Sequence, residues 1–209
     1  MIIFDLDGTL WDSGQSLADS WGLEITRESG IDKHFSAEDI HKVMGLPMTE
    51  IADNLLPEIP EERRYEIFDK AEAYEIEYIS EHGGVLFDGV RETLTELKKL
   101  GYKMTIVSNC QEGYIPAFLK SMNMGEFFCD YEEWGRTGLT KGENIRLVME
   151  RNNVTKAIYI GDIQRDADSA AEAGIPCIAA DYGFGHIENP IARINSFGEL
   201  INCLKQLNF

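Results

Sequence analysis

The sequence is short of positive charge: 19 Lys and Arg stand against 37 Asp and Glu in 209 residues, a formal net charge of −18. A field of that sign repels nucleic acid and anionic membrane, so neither is expected as a partner, and an anionic ligand has to be drawn in by local groups or by a metal. Cysteine is scarce as well. Cys110, Cys129, Cys177 and Cys203 include no CxxC pair and have no His at metal-ligand spacing. That pattern argues against a zinc site or a dense disulfide framework and for reduced thiols in the cytoplasm. No apolar run approaches the roughly 18 residues that a membrane-spanning helix needs. The opening MIIFDLD has neither the basic region nor the cleavage-site pattern of a targeting segment.

What the sequence does contain is alternation. From about residue 85 onward a helical period gives way to a short apolar burst and then returns, the pattern of βα units around a parallel sheet. In DGVRETLTELKKLG, Val90, Leu94 and Leu97 recur at helical spacing, with Asp88 at the start and Gly101 past the end. Strands are predicted at MIIFDLD, at KMTIVSN (103–109), around 126–131, at KAIYIGD (156–162) and at IPCIA (175–179). Helices are predicted over 112–122, 142–152, 165–173 and 196–207. Between the opening strand and Gly83-Gly84 the chain turns acidic and helix-rich, with Tyr65, Phe68, Ala71, Tyr74 and Tyr78 on one helical face as its expected core. The predicted architecture is an α/β Rossmann-like parallel sheet core with helices on both faces (residues 1–13 and 83–209) and an inserted all-helical domain (residues 14–82).

The carboxylates carry the chemistry. In FDLDGTLWDS, Asp5 and Asp7 face one pocket if the strand continues through them. Carboxylates that close repel unless a cation or a shared proton intervenes. Asp-Gly is also ordinary turn chemistry, but three further segments place polar groups at the C-terminal ends of predicted strands, where open parallel sheets bind ligands. Ser108-Asn109 follows TIV, Asp162 follows YIG with Asp166 one turn beyond, and Lys141 opens a helix, where its ammonium and the helix N-terminus both suit an anion. Carboxylates clustered without His or Cys favour a hard cation such as Mg²⁺. A carboxylate attacks phosphorus once metal and Lys neutralise the charge, and a second carboxylic acid protonates the leaving oxygen and later activates water.

FDLDGTLWDS, the run ending in Ser108-Asn109, the isolated Lys141 and GDIQRDADSAAEAGIP together resemble the four motifs of the haloacid dehalogenase-like (HAD) hydrolases. The similarity spans residues 1 to 181, is to the phosphoglycolate phosphatase-like branch, and puts the helical insert where that branch carries its cap. The resemblance implies that Asp5 is the nucleophile and Asp7 the general acid/base, with Ser108 and Asn109 binding the phosphoryl group and Lys141 neutralising charge. It also implies a Mg²⁺ site of Asp5, Asp7 through its main-chain carbonyl, Asp162 and Asp166, the last supporting the metal or its water shell. Asp12 and Ser13 would hold the hinge into the cap, and His186 would lie in a surface loop.

The implied activity is a Mg²⁺-dependent phosphatase acting on a small phosphorylated metabolite, a phosphate monoester, through an aspartyl-phosphate, as a cytoplasmic monomer or homodimer. The family's dehalogenases lack the second Asp. Its sugar-phosphate mutases carry a His after the first motif and basic residues around a cap Gly, where this chain has Leu17 and Met44 and Met48 flanking Gly45. A β-phosphoglucomutase-like phosphomutase and a non-catalytic phosphometabolite-binding regulator are the alternatives. A Schiff base of the phosphonate hydrolase kind would need Lys33 or Lys42, which qualify by residue type alone.

Overall fold

The computed structural model describes every residue except Pro47. The chain opens on β1 (Ile2–Phe4) and β2 (Trp11–Asp12), followed by helices α1 (Gly14–Ser29), α2 (Ala37–His41), α3 (Met48–Leu55) and α4 (Glu61–His82). Next come β3 (Val85–Leu86), α5 (Val90–Lys99), β4 (Met104–Ser108), α6 (Tyr114–Ser121), β5 (Asp130–Glu133), α7 (Trp134–Thr137) and α8 (Lys141–Arg151). β6 (Ile158–Gly161), α9 (Gln164–Ala173), β7 (Cys177–Ala180), β8 (Ala192–Ile194) and α10 (Leu200–Gln206) complete it.

The chain divides into two compact units. The first comprises Met1–Asp12, Val85–Ile115 and Asn123–Phe209. Its six-stranded parallel sheet has the order β5-β4-β1-β6-β7-β8, with Ile2 in register with both Met104 and Ile158. IIF, MTIVS and IYIG are buried at every position, as strands covered on both faces must be, which explains why they do not alternate between apolar and polar. Ile3 faces a layer in which Ile145 and Val148 of α8 and Ala170 of α9 pack against Val107 and Tyr159. Phe4 faces the opposite way, its ring 5.6 Å from Phe197 in the turn leading to α10 and 6.3 Å from Phe128. Helices therefore cover both faces, as the Rossmann-like reading requires.

Local departures have local causes. β1 ends at Phe4 because the Leu6 carbonyl accepts from the amides of Thr9, Leu10 and Trp11, winding the chain into a turn with Gly8 at φ 79°. β5 begins at Asp130, later than the apolar residues implied, because Phe127 closes a turn on Met124 and Phe128 packs on Phe4. β8 went unpredicted: three residues are too few to show a period. β2 and β3 pair antiparallel, Trp11 opposite Leu86 and Asp12 opposite Val85. The stretches on either side of the inserted helices are thus tied by a ladder.

The second unit comprises Ser13–Gly84 and, beyond what sequence reasoning assigned to it, Pro116–Met122. Its α1 and α4 pack through Trp21 and Phe68, rings 5.1 Å apart, and the Trp21 indole N–H donates to the buried Glu75. The buried row of α4 includes Ile67, Phe68, Ala71, Glu75 and Ile79. Tyr65, Tyr74 and Tyr78 stay half-exposed, so the aromatic stripe is a correction: Phe68 and Ala71 belong to the core and the tyrosines border it. Among the described residues no helix is long and apolar enough to cross a membrane.

Candidate active site

Strands β4 and β5 extend from one side of β1 and β6, β7 and β8 from the other, so the strand sequence reverses between β1 and β6. That crevice, at the strands' C-terminal ends, is where open α/β sheets bind ligands. Asp5 follows β1, its amide donating to the Ile160 carbonyl at 2.9 Å, and Asp162 follows β6. Asp166 sits in the first turn of α9. These three buried carboxylates each offer an oxygen within 4.8 Å of the others.

Lys141 completes the cluster. It is the first residue of α8, whose start is set by a reciprocal cap: the Thr140 hydroxyl accepts from the Glu143 amide and the Glu143 carboxylate from the Thr140 amide. Its buried ammonium donates to Asp5 Oδ1 at 3.1 Å and Asp166 Oδ1 at 2.6 Å. The other oxygen of Asp166 accepts from the amides of Asp162 and Ile163 at 3.1 and 3.2 Å. With both oxygens engaged by the protein, Asp166 holds Lys141 and the β6–α9 turn in place.

Burial and the Asp166 carboxylate push the Asp5 carboxyl up to about 7, against the opposing pull of Lys141. Burial, Asp166 and Asp5 push Asp162 up to about 8. Burial works against the Lys141 charge, but Asp166 and Asp5 more than offset it and hold its pKa above the ordinary value. Three carboxylates facing one ammonium, with oxygen donors and no His or Cys among them, fit a hard divalent cation.

From about pH 4 up to about 7 for Asp5 and about 8 for Asp162, the folded protein holds protons that the unfolded chain has released, so without metal their contribution to stability falls as pH rises through that range. A divalent cation such as Mg²⁺ held by these oxygens would compete with those protons. Its stabilisation, about 2.7 kcal/mol at a hundredfold excess over Kd, is expected near pH 8 and fades toward pH 5. Melting curves in Mg²⁺ and in EDTA across that range check this; a Mg²⁺ effect independent of pH rejects it.

Ser108 is buried at the end of β4, in register with Glu133 of β5, and Asn109 beside it is exposed. Asp7 lies beyond the end of β1. Because β1 stops at Phe4, strand alternation does not govern Asp7, which stands outside the three-carboxylate group. Its Oδ1 accepts a 3.0 Å hydrogen bond from the Tyr114 hydroxyl.

The sequence model of the haloacid dehalogenase-like hydrolases matches residues 2–180. The chain belongs to this family. A phosphoglycolate phosphatase of Pseudomonas syringae pv. tomato is 31% identical over 230 aligned positions, covering 98% of this chain and 79% of the relative. The structure of a predicted phosphatase from Clostridium acetobutylicum superposes with a TM-score of 0.78 at 25% identity, covering 100% of this chain and 98% of the other. That of a predicted phosphoglycolate phosphatase from Haemophilus somnus reaches 0.83 at 19% identity, covering 97% and 96%. The chain is a phosphatase of the haloacid dehalogenase-like family, a phosphoric monoester hydrolase.

Within this family site, sequence reasoning missed Tyr114 and the segment after β7. The Phe184 amide donates to Asp162 Oδ2 at 2.8 Å, and the Tyr182 hydroxyl donates to the Thr9 carbonyl at 2.7 Å. A Cβ on Gly183 would come within 2.3 Å of the Asp162 Cβ and 2.4 Å of the Gly8 carbonyl, so only glycine lets this loop close on the first motif. The spaced glycines of YGFG were the one available signal. His186, next in line, is exposed, as expected. The Cys110 thiol is pushed up by burial and by the carboxylates of Glu133, Asp7 and Asp5.

Proposed function

We propose that the chain is a Mg²⁺-dependent phosphatase that hydrolyses a small organic phosphate monoester through an aspartyl-phosphate on Asp5. The observation that carries the reading is the buried Asp5 carboxylate, held by Lys141 among the carboxylates of Asp162 and Asp166. A carboxylate oxygen of Asp5 bonds to phosphorus as the ester P–O bond breaks, and Asp7 gives its proton to the leaving oxygen. Asp7 then takes a proton from the water that attacks the phosphoryl group, returning Asp5 and releasing phosphate. Ser108 and Asn109 bind the phosphoryl oxygens, and Lys141 balances the charge that gathers around them. When bound, Mg²⁺ would be held by Asp5, Asp162 and the Asp7 main-chain carbonyl, with Asp166 in support, and would neutralise the incoming phosphate.

The substrate class is a small phosphorylated metabolite. Phosphoglycolate, after which the curated relatives are named, is the first compound to test. The helical unit is assigned the role of cap, which selects the substrate and excludes water from the aspartyl-phosphate. Lys33 is paired with Glu58 and donates to the Leu55 carbonyl, and Lys42 is paired with Glu38 and Asp39, which leaves Schiff-base chemistry without support.

The test is release of inorganic phosphate from phosphoglycolate and from 4-nitrophenyl phosphate, with Mg²⁺ and with EDTA. Release that requires Mg²⁺ is the expected result. No release across a broad panel of small phosphate esters would overturn the proposal, and isomerisation of a hexose 1-phosphate without free phosphate would replace it with a phosphomutase.

A further inference from the structure

Asp7 has to carry a proton to one specific oxygen, yet it sits on a turn outside the strand and outside the group of carboxylates around Lys141. Tyr114 makes a contact that orients it. The tyrosine is 2% exposed, and its hydroxyl donates to Asp7 Oδ1 at 3.0 Å. Its backbone is clamped from both sides by a single buried carboxylate. Glu133, at the end of β5, accepts from the Gly113 amide through Oε1 at 2.7 Å and from the Ile115 amide through Oε2 at 3.1 Å. These are bonds to an acceptor buried away from water, the kind that fix geometry most firmly. The ring is held as well, in edge contact with Trp11 at 6.0 Å and 77°. Trp11 is itself fixed by the β2–β3 pairing and by the turn that carries Asp7, where its carbonyl accepts from the Gly8 amide.

We infer that Tyr114 is a positioning residue for the phosphatase reaction, its hydroxyl holding the Asp7 carboxyl in the orientation needed to protonate the leaving oxygen. The inference rests on the proposed function, in which Asp7 is the general acid. A rigid route runs from Glu133 through the Gly113 and Ile115 amides to the Tyr114 ring, and from its hydroxyl to Asp7. Tyr114 acts by restricting where the Asp7 oxygens lie, the kind of orientation on which proton transfer depends.

The test compares leaving groups. An ester whose leaving oxygen is strongly basic needs the proton from Asp7, whereas 4-nitrophenolate departs with little help. Tyr114→Phe removes one oxygen and keeps the ring against Trp11. Its kcat is expected to fall about 10- to 100-fold on phenyl phosphate, within the contribution of a general acid, and only a few-fold on 4-nitrophenyl phosphate. KM should change little on either. Equal losses on the two esters, or no loss on either, would overturn the role. Should Tyr114→Phe fail to fold, Glu133→Gln carries the same comparison, because it loosens the clamp and leaves the hydroxyl in place. Phosphate release by the unmodified protein tests the function; the ratio between the two esters tests Tyr114.

Discussion

Replacing Asp5 with Asn is expected to cut phosphate release by about 10⁴-fold or more, because loss of a nucleophile removes the covalent route altogether. The amide has the shape of the carboxyl and can still accept from Lys141, whose ammonium keeps its second partner in Asp166. The fold should therefore survive. Stability sharpens the test. Burial and Asp166 raise the Asp5 carboxyl from 3.8 to about 7. At about 1.4 kcal/mol per tenfold change, an ionised Asp5 costs the metal-free folded protein a few kcal/mol at about pH 8. Asn carries no such charge, so the variant should melt no lower than the parent in EDTA and should lose much of the stabilisation by Mg²⁺. Calorimetry with and without Mg²⁺, beside a phosphate-release assay, checks both halves. Activity above about one per cent of the parent's would mean that another group attacks phosphorus.

Lys141→Met should have the largest effect on stability. The ammonium is the only cation bonded to Asp5 and Asp166 among the described ion pairs, and it is buried with them. Breaking a buried pair from one side leaves uncompensated charge and typically costs 3–5 kcal/mol, which is the loss expected near pH 8 without metal. Near pH 5.5 the loss should be smaller, since Asp5 and Asp162 take up protons there and the charge to be balanced shrinks. Activity should also fall, by about 10²- to 10³-fold, as one electrostatic contact to the developing phosphoryl charge is removed. Urea unfolding at the two pH values, in EDTA, decides the cause. A loss equal at both would indicate side-chain packing in place of charge.

Much of the site was legible because its groups sit at the ends of elements with strong local signals. TIVSN, YIGD and the capped start of α8 mark where a side chain leaves the sheet, and the parallel architecture then brings Asp5, Asp162, Asp166 and Lys141 to one end. Asp7 was legible in type, but not through strand alternation. Two-residue alternation holds only while the strand lasts, and three amides bonding to the Leu6 carbonyl end that regularity before Asp7 is reached. Tyr114 was not legible at all and Phe184 only through the glycines that flank it, since each meets its carboxylate across the fold, 107 and 22 residues away. The inward face of α4 was misread for a related reason. Tyr65, Tyr74 and Tyr78 fit the helical period as well as its apolar row does, and the partners on α1 decide which face turns inward.

Sequence by itself determined the family, the class of chemistry and the order of the strands' functional ends, because those follow from residue type, spacing and the periods of helix and strand. Tertiary structure alone decided how the carboxylates divide. Asp5, Asp162 and Asp166 gather around a buried Lys141, and the Asp7 carboxylate accepts from Tyr114. The reason is physical: burial and mutual repulsion depend on distances that only the closed sheet and its returning loops establish.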